Sequence, residues 1–154
     1  MARNKVSMTG DLFLDYARKL EDLGGSIKDT VDKALEKSAE YVNENLEKDI
    51  KIHRRTGKTE KSLRENEQKV EWEGTVASVP VGFSIRKGGL PSIFLMYGTP
   101  KHGPVGKRPG ATGHPGTKQD KKLYNDVYGA ATKRKVQEIQ EKVFTEDIEK
   151  ITNK

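Results

Sequence analysis

The chain has 154 residues, of which 32% are apolar and 34% charged, with 29 Lys and Arg against 23 Asp and Glu and no cysteine. That composition excludes disulfides, thiolate nucleophiles and Cys-based metal sites. No apolar run approaches the roughly 20 residues that span a bilayer, and the N-terminus lacks the apolar stretch of a secretory signal, so the expectation is a cytosol-compatible chain without a membrane partner.

The net charge of +6 is unevenly distributed: residues 1–50 carry −3, residues 51–118 carry +8 and residues 119–154 carry +1. The positive middle fits either attraction to a polyanion or plain solubility.

Leu12, Tyr16, Leu20 and Leu23 recur at three- and four-residue steps and predict a helix over 11–23, stopped by Gly24-Gly25. Ser26 is the N-cap of the next helix, with Asp29 in its first turn. Ile27, Val31, Leu35, Ala39, Val42, Leu46 and Ile50 form one apolar stripe, and Glu36, Glu40, Glu44 and Glu47 lie largely off it. Such a stripe needs a packing partner, because helices gain most of their stability from tertiary burial.

The stretch from His53 to Gln68 is basic and polar, with a short helix expected at Glu60–Arg64. Gly57-Lys58-Thr59 resembles the end of a phosphate-binding loop. The motif requires a Gly five residues before the Lys-preceding Gly, however, and that position is Ile52. The reading here is a helix start, with Gly57 as breaker and Thr59 as cap. Val70 and Trp72 alternate before a Glu73-Gly74 turn, and Thr75–Val79 returns as the second strand of a hairpin. Val79, Val81, Phe83 and Ile85 continue at period two, the pattern of a half-buried strand. Pro80 cannot donate to a ladder, so that strand is expected to be interrupted or to lie at an edge. Leu90–Tyr97 is an apolar run that periodicity leaves open between strand and helix.

Residues 100–118 form a long loop with four prolines and five glycines, carrying Lys101, Lys107, Arg108 and Lys118 and no acid. Loops beyond about 12–15 residues are uncommon in compact domains unless functional or disordered. This one reads either as an arm that orders against a neighbour or as a surface loop. A final helix is expected over 119–144, with Leu123, Val127, Ala130, Ala131, Val136, Ile139 and Val143 inward and Gly129 inside it, followed by a short helix near 147–151. Helices, then strands, then a helix argue an α+β fold: the long helix and the C-terminal helix packed on a small antiparallel β-sheet, in a single domain over 1–154. Within it, 1–25 is a helical extension, 26–99 a helix plus sheet, 100–118 the loop and 119–154 the C-terminal helical segment.

No catalytic constellation emerges. His53, His102 and His114 lack the i, i+4 spacing that aims two imidazoles at one metal, no Gly-x-Ser-x-Gly elbow is present, and the carboxylates follow polar helix faces. The expectation is a non-enzyme with no cofactor, metal or small-molecule substrate. The basic stretch supports salt-dependent contact with nucleic acid, although no stacking aromatics interleave with the charges.

Arg55-Thr56-Gly57 with Ser62-Leu63 resembles the Thr-Gly-x-Leu-x-x-Ser segment of the tailed-phage tail-component family. Thr59 stands where that family usually has Leu. Tyr97-Gly98-Thr99-Pro100-Lys101 resembles its aromatic-Gly-Thr element, and His114-Pro115 its Pro-containing entry into a C-terminal helix. Met96 and Gly116 depart from the acid and the aromatic common beside those elements. The resemblance runs from about residue 26 to 145. It implies a virion structural protein at the head–tail junction, assembled in the host cytoplasm: a tail-completion, terminator or neck subunit. It also implies a homo-oligomeric ring, sixfold in symmetry, partnered by connector or stopper and tail-tube proteins. Under that reading Arg55, Thr56, Gly57, Ser62, Tyr97, Gly98, Thr99 and Pro115 shape the fold. Lys101, Lys107, Arg108 and Lys118 face a partner or DNA passing the channel. The alternative is a basic nucleic-acid-binding module.

Overall fold

A computed structural model describes residues 5–7, 11–22, 26–64, 69–74, 76–103 and 113–153. Strand β1 (Lys5–Ser7) precedes helices α1 (Asp11–Asp22), α2 (Ile27–Ile50) and α3 (Lys58–Arg64), strands β2 (Glu71–Glu73) and β3 (Val76–Pro80), and helices α4 (Leu90–Tyr97), α5 (Lys121–Tyr128) and α6 (Ala130–Thr152). The fold is α+β, with one three-stranded antiparallel sheet in the order β1-β3-β2. Among the described residues no helix is long and apolar enough to cross a membrane.

The α2 stripe organises the core. Val31, Leu35, Ala39, Val42, Leu46 and Ile50 are all buried, and Ile27 packs at the margin. Full burial of one such aliphatic side chain is worth roughly 1.5–3 kcal/mol. The Ser26 hydroxyl accepts from the Asp29 amide at 3.3 Å, the predicted N-cap. One side of α2 meets the sheet through β3 and β1, and α6 packs along α2. Two long-range polar ties reinforce these contacts. Trp72 Nε1 donates to Asp32 at 2.7 Å, joining β2 to α2. Lys33 and Thr30 donate to Asp147 at 2.7 and 3.1 Å, joining α2 to α6. Burial alone raises the Asp147 pKa, but the bonds from Lys33 and Thr30 outweigh it and hold the carboxyl below its ordinary value.

The structure departs from the periodic reading in several places. The alternation through Phe83 and Ile85 is not a strand: β3 stops at Pro80, and Ile85–Lys87 is a 3-10 turn. Pro80 offers no amide to the ladder, and the amide of Gly82 is taken by Asn43 Oδ1 of α2 at 3.0 Å. Of the two expectations for Pro80 the interruption holds and the edge does not: Pro80 ends the central strand, opposite Lys5. The edges are β1, which the sequence reading did not foresee, and β2, whose Glu71 and Glu73 are exposed.

The helix expected over 119–144 is two helices. Gly129 is extended, at φ −65 and ψ 147, and still closes α5 by donating to Asn125 at 2.8 Å. Past that break α6 runs unbroken to Thr152 and absorbs the separate tail helix; Ala130 and Ala131 are exposed, and Phe144 is its largest buried side chain. Thr59 does not cap α3. The helix starts at Lys58, whose amide donates to Thr56 Oγ1 at 3.5 Å. The open question at Leu90–Tyr97 resolves as helix α4, with Pro91 in its first turn, where a missing amide costs nothing.

Candidate functional site

Residues 99–103 and 113–117 pair as a narrow antiparallel ribbon. Thr99 and Thr117 exchange backbone hydrogen bonds at 2.8 and 3.1 Å, and the His102 amide donates to the His114 carbonyl at 3.1 Å. Pro100 and Pro115 lie between these two bridges and lack amides, so neither can donate a backbone bond across the ribbon. The two imidazoles stack with centroids 5.4 Å apart, 13° from parallel. His102 Nδ1 donates to the Gly103 carbonyl at 3.1 Å, and His114 Nδ1 accepts from the Gly116 amide at 3.0 Å. Lys101, His102, Gly103, Gly113, His114, Pro115 and Lys118 are all exposed. Lys107 and Arg108 lie outside the described residues.

The ribbon is rooted in the body by α4 and α5. Gly98, at φ 71 and ψ 171, turns the chain out of α4 in a conformation that essentially only glycine adopts. A Cβ there would stand 2.9 Å from the Thr117 carbonyl. On the return path the Asp120 amide donates to the Leu95 carbonyl at 2.8 Å. The Asp120 carboxylate caps α5 through the Lys122 and Leu123 amides at 2.9 and 3.1 Å, while its other oxygen meets His53 Nε2 at 2.6 Å. The His53 bond, opposed by burial and helped by the two amides, holds the Asp120 pKa below its ordinary value.

Beside the root stands an aromatic cluster. Tyr97 meets Tyr124 edge-on at 5.7 Å, Tyr124 lies 4.9 Å from Tyr128, and the hydroxyls of Tyr97 and Tyr128 bond at 3.1 Å. Tyr97 is 55% exposed, and with Leu90 (46%) and Phe94 (44%) it forms an i, i+4, i+7 stripe along the outside of α4.

The Arg55–Ser62 segment has a structural part. Arg55 and Thr56 are exposed, and Gly57 adopts φ 73 at the entry to α3. Ser62 is wholly buried, donates to the Thr59 carbonyl at 2.7 Å, and presses on the turn before α4 so closely that a Cβ on Gly89 would lie 2.9 Å from its Oγ. Thr59 donates to the Gly88 carbonyl at 3.4 Å. The segment thus couples α3 to the start of α4 and presents no ligand cradle.

A second polar cluster, not foreseen from the sequence, joins α2 to α5. Asp49 is 4% exposed and accepts from Lys122 at 2.6 Å. Its second oxygen and one oxygen of Asp126 are buried without a partner. Burial, then the neighbouring Asp49, pushes Asp126 up to about 7, so a protonated Asp126 can donate to Asp49 near neutral pH. Nothing in the spacing of residues 49 and 126 announces that contact. Among the described residues no group of three His, Asp or Glu side chains converges as a metal site.

Between α2 and α6 lies an open groove of about 320 Å³, floored by Tyr41, Ile139 and Val143, with Glu40 and Glu44 on its rim. Its lysines, Lys37 and Lys142, both lean to Glu146, at 3.9 and 3.8 Å. Searches against protein families, curated proteins and solved structures found no match for this chain.

Proposed function

We propose that this chain is a structural subunit of a tailed-phage particle, a non-enzymatic tail-completion or neck protein that forms a ring joining the head connector to the tail. The observation that carries this reading is the exposed ribbon of residues 99–103 and 113–117, fastened at Gly98, Thr99 and Thr117 and rooted on α4 and α5. A chain arm held at its base and open along its length suits contact with a neighbouring subunit. The segments that resemble the phage family support it by position. Arg55–Ser62 sets the start of α4, Tyr97–Thr99 ends α4 and opens the ribbon, and Pro115 lies on the ribbon's return strand. Connector, stopper and tail-tube proteins are the partners this role requires. Mass photometry of the purified chain, alone and with those proteins, should give closed rings, sixfold by the family resemblance. Monomer under every condition overturns the reading.

One observation favours a second reading. From Gly74 to Gln119 the chain contains no Asp or Glu and six Lys or Arg. A surface built from that stretch suits nucleic-acid phosphates, and DNA binding whose affinity falls linearly with salt on logarithmic axes would support it. Absence of binding at low salt removes it.

A further inference from the structure

We propose that the seam between α2 and α5 is a pH-sensitive latch: a proton shared by Asp49 and Asp126 holds α5, and with it the root of the ribbon, and ionisation of both carboxyls loosens that hold. The inference goes beyond the subunit reading, since it concerns how firmly the ribbon is held and not what the ribbon touches.

Asp49 lies in the last turn of α2 and is 4% exposed. Lys122 donates to its first oxygen at 2.6 Å, whereas its second oxygen and one oxygen of Asp126 are buried with no hydrogen-bond partner. Two acceptors are thus shut in between facing helices without a donor, an arrangement that costs free energy. The two carboxyls lie within hydrogen-bonding reach of each other, so one proton supplies the missing donor and cancels one of two like charges. Burial, and then Asp49, push Asp126 up to about 7, which sets the change near neutral pH.

The surroundings do not cancel the effect. The charges acting most on Asp126 are Asp49 of α2 and Lys122 and Asp120 beside it in sequence. The Lys122 side chain is 71% exposed, so its attraction is screened, and Asp120 adds repulsion. His53, in the turn after α2, faces Asp120; that contact is an ion pair only while the imidazole is charged, so it too holds better on the acid side. Helix α4 contains no charged residue, and α6 meets α5 through the Thr132 hydroxyl, which donates to the Asn125 carbonyl at 2.9 Å. Loosening α5 reaches the ribbon through Asp120, which caps α5 and whose amide holds the Leu95 carbonyl three residues before Gly98.

Native-state hydrogen exchange of the full chain tests the latch, each amide rate being divided by its free-peptide rate at the same pH. Between about pH 6 and about pH 8 the opening of α5 amides, and of the Thr117 and Asp120 amides, should rise roughly tenfold. At both values α5 should open more often than β3. Asp126→Asn should remove most of the step; if its circular dichroism shows that it does not fold, Asp49→Asn takes its place. Exchange of α5 in step with β3 means that the helix opens only with the whole fold, and overturns the proposal. So does a flat response in the wild-type chain, or a step that persists at full size in the variant. A step confined to α5, with Thr117 and Asp120 unmoved, overturns the link to the ribbon. None of these outcomes bears on ring formation.

Discussion

At the residue scale the most consequential pair is Asp49 and Asp126. An acid whose folded pKa lies above its unfolded value contributes stability only while protonated. The contribution of Asp126 is therefore complete below about 3.8 and is lost as pH rises toward about 7. Above that, two carboxylates face each other with one lysine between the helices to offset them. Asp126→Asn keeps a donor for Asp49 and removes the charge. Thermal unfolding should find it more stable than wild type at pH 8 by roughly 1 kcal/mol, most of the shift being discounted for solvent screening, with the gain vanishing at pH 4. Asp120 behaves oppositely. Its lowered pKa gives stability that is present above its ordinary value and lost as acid protonates it. Gly98→Ala tests the root of the ribbon: at φ 71 and ψ 171, and 2.9 Å from the Thr117 carbonyl, an added methyl should cost about 1–3 kcal/mol in denaturant unfolding.

At the element scale, α2 was legible because 24 residues of unbroken 3.6-residue periodicity leave one solution for its inner face. The strands were less so. Period two continues past Pro80, yet a helix side chain, Asn43, takes the amide that a longer ladder would have used. Asn43→Ala leaves the Gly82 amide buried without that partner and should destabilise by about 1–3 kcal/mol. The cost should appear in equilibrium unfolding together with altered fluorescence of Trp72, the only tryptophan, which is tied to the same helix at Asp32. Gly129 divided a helix that periodicity joined, because hydrophobic spacing carries no record of a single extended residue. Helix α4 escaped assignment for a related reason: eight mostly apolar residues satisfy either period.

At the scale of the whole molecule, the acid-free stretch 74–119 of the sequence supplies β3, α4 and the ribbon, which is rooted beside Asp120. Replacing Lys101 and Lys118 with Ser should leave thermal stability within about 0.5 kcal/mol of wild type, since both side chains are exposed. Association with copies or partners should fall several-fold, read by mass photometry across a salt series. An unchanged assembly profile would count against a partner-facing role for the ribbon. Of the residues picked out beforehand, Tyr97, Gly98, Thr99 and Pro115 come together at one place, whereas Arg55–Ser62 serves the packing of α3.

The linear chain was enough to specify the α+β class, the long helix with its Ser26 cap, the hairpin turn at Gly74 and the concentration of cations in the middle. These are properties of near neighbours, set by side-chain spacing of two or three to four residues and by local turn chemistry. Tertiary packing alone decided that His53 meets Asp120, that Asp49 meets Asp126, and that the outer face of α4 stays uncovered. Such encounters join residues some seventy positions apart, and their positions follow from how helices and sheet bury their apolar faces against one another, which no local pattern records.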